Sequence, residues 1–90
     1  MEAVYGGNLE VWAAELSGHR LAVALINRSP LAAQILAPWG KLGLADEARM
    51  SVRDVWESAN MGVHSRQYST EVGGKSASLL VLTPVEGNNL

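Results

Sequence analysis

Two histidines, nine carboxylates and a few serines are the side chains on which hydrolytic or metal chemistry in this 90-residue chain would have to rest. A zinc site needs three or four converging ligands. His19 and His64 have no partner ligand at metal spacing, so both are expected to be exposed polar residues, His19 in a loop. The absence of cysteine removes disulfides, thiolate metal sites and a thiol nucleophile.

The carboxylates fall as Glu10 with Glu15, Asp46 with Glu47, and Asp54 with Glu57. Glycoside hydrolysis needs two carboxyls facing across a cleft, roughly 5–9 Å apart. Adjacent residues of a strand point to opposite faces, so Asp46 and Glu47 do not converge. These residues are expected at the solvated surface or in structural hydrogen bonds. Asp54 differs in kind, because strand alternation puts it with Val52 and Trp56. If buried, it needs Arg53 or a backbone N–H as partner. Ser17 and Ser29 precede no base in an elbow motif, and the glycines form neither G-x-G-x-x-G nor a P-loop. The sequence therefore assigns no catalytic residue, no metal ligand and no cofactor site.

Binding chemistry has two further candidates. Trp12, Trp39 and Trp56 could stack on sugar rings, but with two tyrosines and no phenylalanine they are also the largest pieces available to a core. Asn27-Arg28-Ser29 is an N-x-S acceptor for N-glycosylation, with Pro30 directly after it lowering its use. The net charge is −2, and the basic residues Arg20, Arg28, Lys41, Arg49, Arg53, Arg66 and Lys75 stand singly. Nucleic acid is bound by a clustered basic face, so it is not an expected partner. No basic amphipathic run or membrane-spanning length of apolar sequence argues for a membrane. No signal-peptide pattern opens the sequence, and an exported parent would carry its signal outside these residues.

The elements that would hold these residues read as short strands between turns. Residues 1–8 read as a lead-in, with turn chemistry at Gly6-Gly7-Asn8. Leu9 to Leu16 alternates, Leu9, Val11 and Ala13 on one face and Glu10 and Trp12 on the other. After the break Ser17–Arg20 comes the apolar run Leu21–Asn27. Two such runs around a Gly-bearing loop predict a hairpin. The second run does not alternate, which predicts a central strand buried on both faces. Ala32–Trp39 reads as a third strand whose end Pro38 keeps at an edge or bend. Between Leu44 and Ala59, apolar residues recur near helical spacing, yet Val52–Trp56 is strand-like; periodicity alone does not separate the two. Asn60-Met61-Gly62 reads as a turn, Val63–Val72 as one alternating strand, Gly73-Gly74-Lys75 as a turn, and Ala77–Thr83 as a last buried strand ended by Pro84. Residues 86–90 read as a polar tail, leaving 9–85 as one domain. Turn signals every ten residues or so suggest a β-sandwich.

Taken together, Leu9-Glu-Val-Trp-Ala, Leu16-Ser17 with the loop to Arg20, Ala22 to Arg28, Trp39 with Leu42-Gly43-Leu44, Val52-Arg-Asp-Val-Trp56 and Leu80-Val-Leu-Thr-Pro84 form a recognisable series. Their order and spacing resemble the C-terminal β domain of glycoside hydrolase family 27, the α-galactosidases or melibiases, in their plant form. The likeness runs from about Asn8 to Pro84. It implies an all-β, antiparallel Greek-key β-sandwich with Val52–Trp56 as strand. One departure is Lys75, where the family often carries a histidine. The family's chemistry uses two aspartates of a preceding (β/α)₈ barrel in a retaining mechanism. Its nucleophile lies in a Lys-Tyr-Asp motif that does not occur here, so no catalytic residue carries over. The resemblance implies an accessory domain whose partner is the catalytic barrel of the same parent chain, with carbohydrate as a second candidate partner. It implies no cofactor, and a secreted, cell-wall or vacuolar/lysosomal setting. It also leads us to expect an apolar patch on one sheet and a tendency to self-associate.

Overall fold

The structure, a computed structural model, describes the backbone of residues 2–6 and all of residues 8–85. Eight strands run through it: β1 (Glu2–Gly6), β2 (Leu9–Glu15), β3 (Leu21–Asn27), β4 (Ala33–Pro38), β5 (Met50–Asp54), β6 (Ala59–His64), β7 (Gln67–Val72) and β8 (Ser76–Pro84). They form a six-stranded sheet in the order β1-β2-β3-β8-β5-β6 and a two-stranded sheet β4-β7, with every pairing antiparallel. The last strand returns to lie between β3 and β5, the Greek-key feature of the topology.

The β2–β3 hairpin lies where the apolar runs place it, paired from Leu9–Asn27 to Glu15–Leu21. A 3-10 turn, Ser17–His19, closes it, with Gly18 and His19 both at positive φ. Leu16 N–H donates to the Arg20 carbonyl at 2.8 Å, and Arg20 Nε returns to the Ser17 carbonyl at 2.9 Å. Period-two alternation then sends Val23 and Leu25 inward, where Leu80, Leu82 and Val52 of the neighbouring strands meet Ile35, Ala37 and Tyr68 of the small sheet. Burial of such side chains contributes roughly 1.5–3 kcal/mol each before conformational entropy is charged.

Four expectations change. Residues 2–6, read as lead-in, form β1 and pair with β2, so the strand-bearing unit starts ahead of residue 9. Val63–Val72 is not one strand. It breaks at Ser65-Arg66, with Arg66 at φ 71°, and its halves enter different sheets as β6 and β7. The turn expected at Asn60–Gly62 lies inside β6, and the chain reverses earlier, over Val55–Ser58. Gly62, at φ 88°, instead marks a register shift against β5, where Ser51 faces Val63 but Arg53 faces Asn60, the pattern of a β-bulge. Finally, β3 is central but is packed on one side only, with Ala22, Ala24 and Ile26 half-buried on the other. The tail expected at 86–90 lies outside the described residues.

The β7–β8 turn is pressed onto the segment after β3. Lys75 N–H donates to the Ser29 carbonyl at 2.7 Å. A methyl group on Gly74 would overlap the Pro30 carbonyl, so only glycine fits there.

Candidate functional site

Among the described residues, no three His, Cys, Asp or Glu side chains come together as a metal site, and no helix is long and apolar enough to cross a membrane. His19 is exposed in the β2–β3 turn. His64 is half-buried, with Nε2 at 2.8 Å from the Met61 carbonyl and its ring edge-on to Tyr68. Asp46, Glu47 and Glu57 are exposed on loops.

Asp54 is the buried carboxylate. Its partner is a backbone group: Oδ1 accepts from Glu57 N–H at 2.9 Å, which fixes the first residues of the β5–β6 turn. The carboxylate is a turn staple. Trp56 lies on that turn and not on the strand, so it does not share the buried face of Asp54.

The three tryptophans have separate fates. Trp39 is fully buried and donates its indole N–H to the Ala48 carbonyl at 2.8 Å, so it is core and presents no face to a sugar. Trp12 and Trp56 are 41% and 64% exposed. Trp56 lines an open cleft of about 570 Å³ with Ile26, Asn27, Arg28, Lys75, Ser76 and Ala77.

Asn27 sits at the base of that cleft but is only 1% exposed. Its Nδ2 donates to the carbonyls of Leu31 and Val72, both at 2.9 Å. Its Oδ1 accepts from Ser29 N–H at 2.9 Å and from Ser29 Oγ at 2.7 Å. Glycan attachment would use the same amide nitrogen. In the folded domain that nitrogen is engaged by the Leu31 and Val72 carbonyls, tying β3 to the end of β7.

One polar group on the surface was not foreseen as a unit. Glu10 Oε2 lies 2.6 Å from Arg28 Nε, and Glu10 Oε1 accepts from Trp12 Nε1 at 2.9 Å. The signal was present: Glu10 and Trp12 are two apart on one strand face, and the hairpin register brings Arg28 alongside. The Arg28 guanidinium first, and the Trp12 indole N–H next, hold the Glu10 carboxyl below its ordinary value. A lowered folded-state pKa means the trio supports folding fully above the unfolded pKa and loses that support as pH falls through the folded one. A carboxyl NMR titration should show Glu10 midpoint below a free glutamate, and Arg28→Ala should raise it. An unchanged midpoint in R28A would refute the assignment.

The family model for the α-galactosidase C-terminal β-sandwich domain matches residues 6–82. The α-galactosidase of Coffea arabica is 42% identical over 78 residues, covering 87% of this chain and 21% of that protein. The α-galactosidase of Cyamopsis tetragonoloba is 38% identical over 77 residues, covering 86% and 19%. The chain thus spans about a fifth of the length of the curated relatives it matches. Among solved structures, a family 27 β-L-arabinopyranosidase from Geobacillus stearothermophilus superposes with TM-score 0.86 at 24% identity, over 99% of this chain and 20% of that one. The α-galactosidase I of Mortierella vinacea gives 0.83 at 21%, over 88% and 21%. Strand order and family match point the same way: this chain belongs to the C-terminal β-sandwich domains of the glycoside hydrolase family 27 α-galactosidases.

Proposed function

We propose that the chain is a non-catalytic accessory domain of an α-galactosidase-like hydrolase, docking on that enzyme's catalytic (β/α)₈ barrel and stabilising it. The parent reaction in this reading is hydrolysis of terminal α-D-galactosyl residues. The observation that carries it is the dispersal of the carboxylates: Asp54 is tied to its own turn and Asp46, Glu47 and Glu57 stand on exposed loops. A retaining glycosidase needs two carboxyls about 5 Å apart across a substrate cleft. The chain's length, about a fifth of its relatives, supports a division of labour in which cutting is done elsewhere. The test is direct. The purified chain should not turn over a chromogenic α-galactoside, and activity lost on mutating Asp54 or Glu57 would overturn the reading.

An independent carbohydrate-binding role is favoured only by the exposed Trp56 beside its cleft. Sugar recognition adds side-chain hydrogen bonds to ring stacking. Here the Asn27 amide is already committed to Leu31 and Val72, and Arg28 to Glu10. Calorimetric titration with galactose should give no binding heat at millimolar sugar.

A further inference from the structure

The two central strands of the large sheet are apolar on both sides, while the domain covers only one. In β3, Leu21, Val23 and Leu25 are buried in the core, and Ala22, Ala24 and Ile26 face outward, half-buried. In β8, Leu80 and Leu82 are buried, and Ala77, Leu79 and Val81 face outward, half-buried. The register joins these outward residues into rows: Ala22 faces Val81, Ala24 faces Leu79, and Ile26 faces Ala77. On the other flank, Trp12 faces Ala24 and Ala14 faces Ala22. Val55 N–H donates to the Leu79 carbonyl at 2.9 Å, fastening the turn that carries Trp56 to this sheet.

An antiparallel sheet with one face in water alternates apolar inward and polar outward. The small sheet obeys, with Gln34, Gln67, Ser69 and Glu71 on its exposed side and Leu36 as the apolar exception. The large sheet does not. Over β2, β3 and β8 its outer face carries an apolar patch, edged on the same face by Glu10, Ser51, Arg53 and Thr83, and no layer within the described residues covers that patch.

We propose that this outer face, with Trp12 and Trp56 as its two anchors, is the surface that receives the catalytic portion of the parent enzyme. The inference rests on the accessory-domain reading above and names its contact. About four fifths of each matched relative lies outside the matched stretch, which supplies a body large enough to be the missing layer. Three strands about 4.8 Å apart and three paired rows make a floor roughly 15 Å on a side. With two indoles added, that approaches one partner's share of an interdomain interface of about 600–1,500 Å² in total. Alanines keep the floor low and the tryptophans stand above it, so it suits a convex apolar surface better than a second copy of itself. Exposed aromatics on a flat apolar patch are what interface centres are made of.

Hydroxyl-radical footprinting, read by peptide mass spectrometry, tests this. The chain is compared alone and joined in frame to the catalytic portion of the Coffea arabica enzyme in place of that enzyme's matching fifth. If the fusion does not fold, the two parts are mixed in trans. Oxidation of Trp12, Trp56 and Leu79 should fall several-fold in the joined protein, while Leu36 on the small sheet stays as reactive as before. Protection of Leu36 with Trp12 and Trp56 unchanged would overturn the face and leave docking standing. Protection of neither would overturn the docking reading too. Protection of Trp56 by galactose in the isolated chain would overturn the anchor assignment in favour of a sugar. As a second measurement, Ala24→Arg should lower the melting temperature of the joined protein more than that of the isolated chain, and Leu36→Arg should not. If Ala24→Arg unfolds the isolated chain, Trp56→Ser replaces it, and an equal effect of that change on both forms would refute the proposal.

Discussion

Replacing Trp39 by alanine is expected to leave the domain largely unfolded at room temperature. The indole is fully buried where the small sheet meets the loop to β5. Removing a buried aromatic to alanine costs about 3–5 kcal/mol in lost transfer and residual cavity. The Ala48 carbonyl would also lose the indole N–H at 2.8 Å, and an orphaned buried acceptor adds about 1–3 kcal/mol. A small domain has only about 5–15 kcal/mol in total. The backbone around Trp39 concentrates the damage. Its N–H donates to the Arg66 carbonyl and its carbonyl accepts from Leu44 N–H, at 2.8 and 2.9 Å, so one residue holds the β6–β7 break and the start of the 43–49 loop. Trp39→Phe keeps much of the ring and drops the hydrogen bond, about 1 kcal/mol, or about 4–8 °C in melting temperature for a domain of this size. Urea unfolding followed by far-ultraviolet circular dichroism measures both. A Trp39→Ala protein within 1 kcal/mol of the parent, on the scale of a surface change, would show that Trp39 is not the keystone of this loop.

The second large effect is expected at Asn27, and its pH dependence is more telling than its size. The side chain spans the two sheets, from β3 to the Val72 carbonyl at the end of β7. Asn27→Ala would strand the Val72 carbonyl and the Ser29 N–H, while Ser29 Oγ keeps the Leu31 carbonyl at 2.8 Å, for a loss of about 2–4 kcal/mol. Asn27→Asp keeps the acceptor but faces two carbonyl oxygens with an anion. That environment raises the folded-state pKa of the new carboxyl above its unfolded value. Its stability is therefore greatest below the unfolded pKa and is lost as pH rises through the folded one. Asn27→Asp should thus gain stability, relative to the parent, on acidification from neutrality, opposite in sign to the Glu10 effect. Denaturant midpoints at pH 4 and pH 7, scaled about the ordinary Asp value, decide it. A difference between N27D and the parent that does not change with pH would mean the Leu31 and Val72 carbonyls are not its partners.

How far the sequence carried can be read from particular residues. The β2–β3 hairpin and β8 were legible because their apolar runs are long and end in Gly- or Pro-bearing turns. The outward place of Glu10 and Trp12 followed from alternation alone. The resemblance implies Val52–Trp56 as strand against a competing helical spacing; the strand is there but ends at Asp54, and Val55 and Trp56 belong to the turn. Two boundaries were missed for one physical reason. The reversals at Val55–Ser58 and Ser65-Arg66 use Ser58 and Arg66 in the left-handed region, at φ 53° and 71°. Such residues carry no turn signature, because tertiary pairing holds them there against local preference. Gly62 gave a signature that belonged to a bulge. β1 was missed because Ala3-Val4-Tyr5 ahead of Gly6-Gly7 is too short to alternate convincingly. The three tryptophans were alike in type, and only the fold separates buried Trp39 from Trp12 and Trp56 on the uncovered face. The same outer face explains why the Leu21–Asn27 run reads as buried twice over: Ala22, Ala24 and Ile26 are apolar, but among the described residues only the side of Val23 and Leu25 is covered.

Differential scanning calorimetry tests the supporting role most directly. The catalytic portion of the Coffea arabica enzyme is melted alone and joined to this chain, and turnover is measured per folded molecule. The joined form should melt higher, with turnover per folded molecule little changed. Equal melting temperatures, or turnover that disappears when Asp54 or Glu57 of this chain is replaced, would contradict a domain that supports an enzyme without doing its chemistry.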